Sequence, residues 1–203
     1  MNKTYIIYLA SGNSRRFKGN KLLFPFQNKP LYQHALDLLL KEYKDIIVVS
    51  QYDEILQYSS QRGALGILCL ESVNGLSYSI KAAVNYLNTL EKPFQMIFMV
   101  ADQPYISIKT INKLMHTTSP LASCAYKEKV GNPTLFDSSY IPELLQLKDD
   151  QGGRKVLNKH PDEVEYIQVE NIRELYDIDY QKDLKQLQLN WFKSQGQNVD
   201  SPC

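Results

Sequence analysis

Residues 5–23, YIIYLASGNSRRFKGNKLL, decide how the rest of the chain is read. An apolar run over 5–9 breaks at Ala10, Ser11 and Gly12, passes through Arg15, Arg16, Gly19 and Lys21, and turns apolar again at Leu22. This is the pattern of a strand feeding a cationic loop of small residues. Small side chains let backbone N–H groups approach phosphate oxygens while Arg15, Arg16 and Lys21 offset their charge, so the loop suits a polyphosphate. Neither Gly-x-x-x-x-Gly-Lys-Ser/Thr nor Gly-x-Gly-x-x-Gly is present. On spacing alone, a basic surface turn after a strand fits equally well.

Outward from this loop, short apolar runs alternate with segments of helical period. Strands are predicted at residues 5–9, 46–50, 66–70, 95–100, 121–126, 133–136 and 164–169. A helix starting at Pro30 puts Leu31, Ala35, Leu38 and Leu39 on one face, and further helices are predicted over 53–62, 77–89 and 107–116. Strand and helix alternate up to residue 120, which predicts a parallel sheet with helices on both faces, because parallel strands need long crossovers. The unbroken apolar run 96–100 reads as a central strand covered on both sides. The last third is less regular, with helices predicted over 139–147, 153–160 and 180–189. Residues 1–189 read as one domain and 190–203, rich in Ser, Gln and Asn, as a polar disordered tail.

Composition narrows the function classes. With 203 residues, 43% hydrophobic and 22% charged, the chain can bury one sizeable core. A net charge of +1 gives no support for a nucleic-acid or membrane surface, so any anionic partner is expected to be small. Cys69, Cys124 and Cys203 are odd in number and form no Cys-x-x-Cys pair, which argues against a disulfide framework or zinc site and for the reducing cytoplasm. No signal peptide and no membrane span of about 20 apolar residues is expected.

Ligands of such sheets bind beyond the carboxyl ends of the strands, so the residues leaving each strand are the informative ones. After 66–70 come Asn74, Gly75 and Ser77, able to grip a nucleobase or ribose, or else to form an ordinary turn capped at Ser77. After 95–100 comes Asp102, a carboxylate at the lip of the most buried strand, suited to magnesium on substrate phosphates or to capping a turn before Pro104. Asp177 and Asp179 precede the last predicted helix, where one could complete a metal site or both could be caps. Cations and carboxylates around one crevice fit metal-assisted transfer at a nucleoside triphosphate. Lys21 and Asp102 are therefore expected to face one another across a single pocket. The turn 150–154 ends in Arg154 at a helix start and could hold an anion or be an exposed capping turn.

LASGNSRRF, NKLLFPF and KPLYQH resemble the N-terminal signature of the MobA-like NTP transferase family. The similarity continues in order through Asn74-Gly75-Leu76-Ser77-Tyr78-Ser79, Ala101-Asp102-Gln103-Pro104, Gly131-Asn132-Pro133, Asp150-Gln151-Gly152-Gly153-Arg154 and Asp177-Ile178-Asp179, and so spans nearly the whole chain to about residue 189. Asn20 before Lys21 and Leu22-Leu23-Phe24-Pro25 after it resemble the molybdenum cofactor cytidylyltransferase branch, since guanylyl-transferring relatives tend to carry Gly-Gly early in the loop and Asp before the Lys. The departures are Ser11 where many members have Ala or Gly, Tyr78 in place of a serine, and no Thr-Pro after Asp179.

The resemblance implies a three-layer, Rossmann-like nucleotidyltransferase fold with a mostly parallel sheet. It implies CTP and Mg²⁺ or Mn²⁺, with molybdopterin as acceptor and a molybdenum hydroxylase as a possible recipient of the product. Leu9, Ala10, Ser11, Gly12 and Arg15 would hold the nucleotide, together with Asn74, Gly75, Ser77 and Asp102, and Arg16 and Lys21 would stabilise the pentacovalent phosphate. Asp102 would bind the metal with Asp177, or failing that Asp179, as second ligand. Gly131, Asn132 and Pro133, with Gln151, Gly152 and Arg154, are the candidates for the acceptor. Another phosphorylated acceptor, GTP in place of CTP, or a non-catalytic molybdopterin chaperone are the alternatives.

Overall fold

The computed structural model describes residues 3–12, 14, 17 and 19–180. Strand β1 (Lys3–Leu9) leads through the cationic loop to a hairpin, β2 (Pro25–Phe26) and β3 (Lys29–Pro30). Then follow α1 (Gln33–Glu42), β4 (Ile46–Ser50), α2 (Asp53–Ser60), β5 (Leu65–Leu68), α3 (Leu76–Leu87) and β6 (Phe94–Val100). Next come α4 (Ile108–Met115), the long hairpin β7 (Leu121–Tyr126) and β8 (Lys129–Asp137), the short helices α5 (Ile141–Leu144) and α6 (Arg154–Leu157), and β9 (Val164–Gln168).

Seven strands form one sheet in the order β5-β4-β1-β6-β8-β7-β9. Within it β8 runs antiparallel to both neighbours and the remaining pairs are parallel. Alternation along each strand sorts side chains to two faces. Ile6 and Tyr8 of β1 join Leu36, Leu39 and Ile111 on one side, while Ile7 and Leu9 join Ile80, Val84 and Leu144 on the other. Each such fully buried aliphatic side chain contributes about 1.5–3 kcal/mol. Helices therefore cover both faces of a mostly parallel sheet, which is the three-layer fold expected from the sequence.

Three local expectations are corrected. Pro30 does not open a helix: it pairs with Pro25 in the β2–β3 hairpin, whose two turn residues Gln27 and Asn28 both have positive φ (46° and 70°). That is the backbone of a tight two-residue hairpin turn. Residues 133–136 are the inner part of the longer β8, antiparallel to β7 because two linking residues are too few for a parallel crossover. The strand predicted over 66–70 is β5, which ends at Leu68, and Leu70 opens a 3₁₀ turn, Leu70–Asn74, leading into α3. The helices predicted over 139–147 and 153–160 are the shorter α5 and α6. The predicted helix 180–189 and tail 190–203 lie outside the described residues, Tyr180 apart. Among the described residues no helix is long and apolar enough to cross a membrane.

The register places the site. Leu9 pairs with Val49 on one side and Val100 on the other, and Ala101 N–H donates to Leu9 O at 3.1 Å. The chain segments leaving β1 and β6 therefore emerge side by side at the carboxyl edge.

Candidate active site

A cavity of about 310 Å³ opens at this edge. Leu9, Val100 and Ala101 lie along it, with Ser11, Gly12, Ser14, Lys21, Asp102 and Asp179 among the lining residues from the β1 and β6 exits and the C-terminal segment. Ser72, Gly75, Leu76, Ser79 and Asp150 line it from the α3 region.

The loop after β1 is held by its carbonyl groups. Ser50 Oγ donates to Ala10 O at 2.8 Å, Gln51 Nε2 to Ser11 O at 2.7 Å and Tyr52 Oη to Gly12 O at 3.1 Å. All three donors come from the exit of β4. In a trans peptide the following N–H points away from the carbonyl, so these bonds turn the Ser11 and Gly12 N–H groups away from β4. Backbone donors freed in this way, beside a lysine, make a cradle for anionic oxygens.

Lys21 sits deepest among the charged groups lining the cavity, its side chain only 9% exposed. Its Nζ lies 2.6 Å from Asp102 Oδ2 and 3.2 Å from Asp179 Oδ1. Burial acts to lower the pKa of this ammonium, but the charges of Asp102 and Asp179 and their hydrogen bonds outweigh it, and the net shift is upward. Ser14 Oγ accepts the Lys21 backbone N–H at 3.0 Å, and Asn20 Oδ1 accepts that of Leu22 at 3.1 Å, which fixes the turn carrying the lysine.

The C-terminal segment reaches the same point through a small apolar cluster. Ile178 is fully buried with Phe17, Phe26 and Leu31, with Tyr105 packed against them. Its N–H donates to Asp102 O at 3.0 Å. Four residues earlier, the buried Glu174 accepts from Thr110 Oγ1 at 2.6 Å and Ser107 N–H at 3.0 Å at the start of α4. These anchors bring Asp179 onto Lys21. Asp177 goes elsewhere: Gln103 Nε2 donates to its Oδ1 at 2.7 Å, and it does not line the cavity. Although the residue as a whole is exposed, shielding of its carboxylate, followed by the charge of Asp102, raises its pKa, against the lowering effect of the Gln103 bond.

Of the residues singled out from sequence, Leu9, Ser11, Gly12, Gly75, Lys21, Asp102 and Asp179 line the one cavity. Ala10 is buried behind the loop, and Ser77 is buried in α3 with its Oγ lacking any hydrogen-bond partner among the described residues. Asn74 closes the 3₁₀ turn. Arg15 and Arg16 lie outside the described residues.

Gly131, Asn132 and Pro133 do not line the cavity. They belong to β8, where Asn132 and Pro133 form a bulge opposite Ser123 and Cys124. Gln151 closes its own turn through bonds with Lys148, Gly152 packs against Leu76, and Arg154 is exposed at the start of α6, so none of the three lines the cavity either. Their neighbour Asp150, the first residue of the same turn, does, together with Ser72 and Ser79 from the stretch read as a base or ribose grip and Ser14, which the sequence reading gave no role. Polar small residues beside glycines were the available signal.

The comparisons with known proteins agree with this geometry. The model of the MobA-like NTP transferase domain matches residues 6–164. The chain belongs to this family. As a MobA-like NTP transferase it is an enzyme, a nucleotidyltransferase. It is 25% identical over 171 residues to the purine catabolism protein PucB of Bacillus subtilis, covering 77% of this chain and 82% of the relative. It is 24% identical over 196 residues to a probable molybdenum cofactor guanylyltransferase of Thermococcus sibiricus, covering 89% and 95%. The fold matches the crystal structure of Rv0371c from Mycobacterium tuberculosis with a TM-score of 0.77 at 20% identity, over 93% of this chain and 98% of that one. A structure of the same mycobacterial protein in complex with manganese matches with a TM-score of 0.72 at 18% identity, over 93% and 99%.

Proposed function

We propose that this MobA-like enzyme transfers CMP from CTP to the terminal phosphate of molybdopterin, forming the cytosine dinucleotide cofactor and pyrophosphate. The observation that carries the reading is the contact of Lys21 with Asp102 and Asp179 beside the small-residue loop 9–12. It joins a phosphate cradle, a cation and two carboxylates within one cavity. The Ser11 and Gly12 N–H groups would bind phosphate oxygens, and Lys21, with Arg16, would offset charge developing at the α-phosphorus. The Ser72, Gly75 and Ser79 end, with Asp150, would receive the base and ribose, and the acceptor would enter opposite pyrophosphate for in-line displacement.

A divalent cation fits the donor set. Asp102 Oδ1 is buried with no hydrogen-bond partner among the described residues, and carboxylate oxygens are the ligands magnesium and manganese take. Among those residues no group of three or more His, Cys, Asp or Glu could hold a metal, which fits a cation whose remaining ligands are phosphate and water oxygens. When bound, that cation would polarise the phosphoryl group and offset its negative charge. Asp102 and Asp179 would hold it, Asp179 taking the place first given to Asp177, because Asp179 shares Lys21 with Asp102.

The test is pyrophosphate release with CTP, GTP and ATP in the presence of molybdopterin and Mg²⁺. A clear preference for CTP supports the reading. The name of the Thermococcus relative favours one competing reading, so equal or better turnover with GTP would move the assignment to guanylyl transfer. Asp102→Ala should lower turnover by about 10²–10³, the loss usual for one pre-organised electrostatic group.

A further inference from the structure

The ammonium of Lys21 lies between the two carboxylates proposed above as metal ligands, 2.6 Å from Asp102 Oδ2 and 3.2 Å from Asp179 Oδ1. It is buried, and its backbone is fixed by Ser14. Asp102 is left with one oxygen outside the ion pair, the buried Oδ1, which has no hydrogen-bond partner among the described residues. The free protein thus already neutralises part of this negative charge with a cation of its own.

A divalent ion cannot join these carboxylates while Lys21 remains on them, since like charges a few ångström apart repel strongly in a shielded site. Leaving them without a new partner would strand a buried ammonium. A triphosphate supplies that partner, because its oxygens, held on the Ser11 and Gly12 N–H groups in the same cavity, can accept Lys21.

We propose that Lys21 holds the cation's place in the free protein, so that a divalent metal binds to Asp102 and Asp179 only as a triphosphate draws the lysine away. This rests on the reading of those two aspartates as metal ligands. The binding of metal and nucleotide is then mutually reinforcing, each tightening the other by the same factor. Lys21 acts twice, first as the occupant that keeps adventitious metal out and then as the phosphate's counter-charge.

The experiment is a Mn²⁺ titration of the whole chain, with free Mn²⁺ counted by electron paramagnetic resonance. It is run with and without α,β-methylene-CTP and against a protein-free nucleotide control. Wild type should bind Mn²⁺ weakly alone and much more tightly with the analogue. Lys21→Met should bind Mn²⁺ alone about tenfold or more tighter than wild type, within the roughly 5–150-fold range of coupled sites. Lys21→Gln, which keeps a hydrogen-bond donor for Asp102, should move the same way and carries the test should the methionine variant unfold.

Mn²⁺ affinity without nucleotide that is unchanged or weaker in a folded Lys21 variant would overturn the proposal. If Asp102→Asn still abolishes nucleotide-dependent Mn²⁺ binding in that case, the ligand reading stands and the place-holding role alone is wrong. If Asp102→Asn leaves Mn²⁺ binding intact, both fall.

Discussion

Gly75→Ala is expected to cut stability and nucleotide affinity together. Gly75 has φ +141°, and a Cβ there would lie 2.3 Å from both the carbonyl carbon and oxygen of Asp149 and 2.8 Å from Asp150 N. These are backbone atoms, so no rotamer change relieves the overlap and the turn 148–153 must retreat by about 1 Å. Retreat also breaks the bond from Ser77 N–H to Asp149 O, now 3.0 Å. The positive φ costs about 1–2 kcal/mol, the overlap about 1–3 and the lost bond about 1, so a total of roughly 3–6 kcal/mol is expected. At about 2–4 °C per kcal/mol for a chain of this size, the melting temperature should fall by roughly 6–24 °C. Gly63→Ala is the control: φ is +93° but nothing lies within 4 Å of its Cβ, leaving only the backbone penalty of about 1–2 kcal/mol. Differential scanning calorimetry on both variants, with KM for the nucleotide, gives the comparison. Equal melting shifts for Gly75→Ala and Gly63→Ala, with unchanged KM, would refute the packing argument.

Ile178→Ala empties a fully buried position among Phe17, Phe26 and Leu31 and should cost about 2–5 kcal/mol in a denaturant melt. It should also weaken metal binding, because Asp179 is carried by the same segment; full metal affinity at lowered stability would show that this cluster does not place the carboxylate. Glu174→Ala removes the acceptor of the Thr110 hydroxyl and the Ser107 N–H and should cost about 1–3 kcal/mol, with Glu174→Gln, which retains an acceptor, closer to wild type. Identical melts for the two variants would count against those hydrogen bonds. For Asp177 the folded pKa is raised from its ordinary value of 3.8, so its contribution to stability is fully present below that value and lost as pH rises through the folded pKa. In EDTA, Asp177→Asn should therefore melt higher than wild type at pH 7 but show no such gain at pH 3; the same difference at both pH values would contradict the shift.

Strand identity was legible because it is local. Residues 5–9 and 96–100 are unbroken apolar runs whatever surrounds them, and both sit centrally in the sheet, covered on both faces. The site's position followed from these strands, since a parallel sheet gathers its strand exits at one edge. What was not legible depends on distant partners. No glycine marks the turn at Gln27 and Asn28, so the β2–β3 hairpin that buries Phe26 looked like the lead into a helix. Which of Asp177 and Asp179 meets Lys21 is set by the anchoring of Ile178 and by the Gln103 amide, and neither contact leaves a trace in local spacing. Ser77 looked like a cap, yet it lies inside the first turn of α3, where its own N–H is spent on Asp149.

That last bond bears on how a nucleotide would lie. Two features of the cavity could hold phosphates: the loop after β1 and the N-terminus of α3, whose first N–H groups are ordinary anion donors. At α3 the Ser77 N–H donates to Asp149 O and the Tyr78 N–H to Gly75 O, while Asp150 adds a carboxylate that repels phosphate. At the loop, the carbonyls of residues 10–12 are bonded to the β4 exit and Lys21 stands beside them. The cavity therefore has two unlike ends, with backbone donors and Lys21 at the β1 end and carbonyl and carboxylate acceptors at the α3 end. An amino-bearing base such as cytosine or guanine suits the second end as the triphosphate suits the first. A uracil base, with a carbonyl in place of cytosine's amino group, would meet a carboxylate with the wrong partner, so UTP should be the poorest pyrimidine substrate in the pyrophosphate-release assay. Turnover of UTP equal to that of CTP would reverse the assigned orientation.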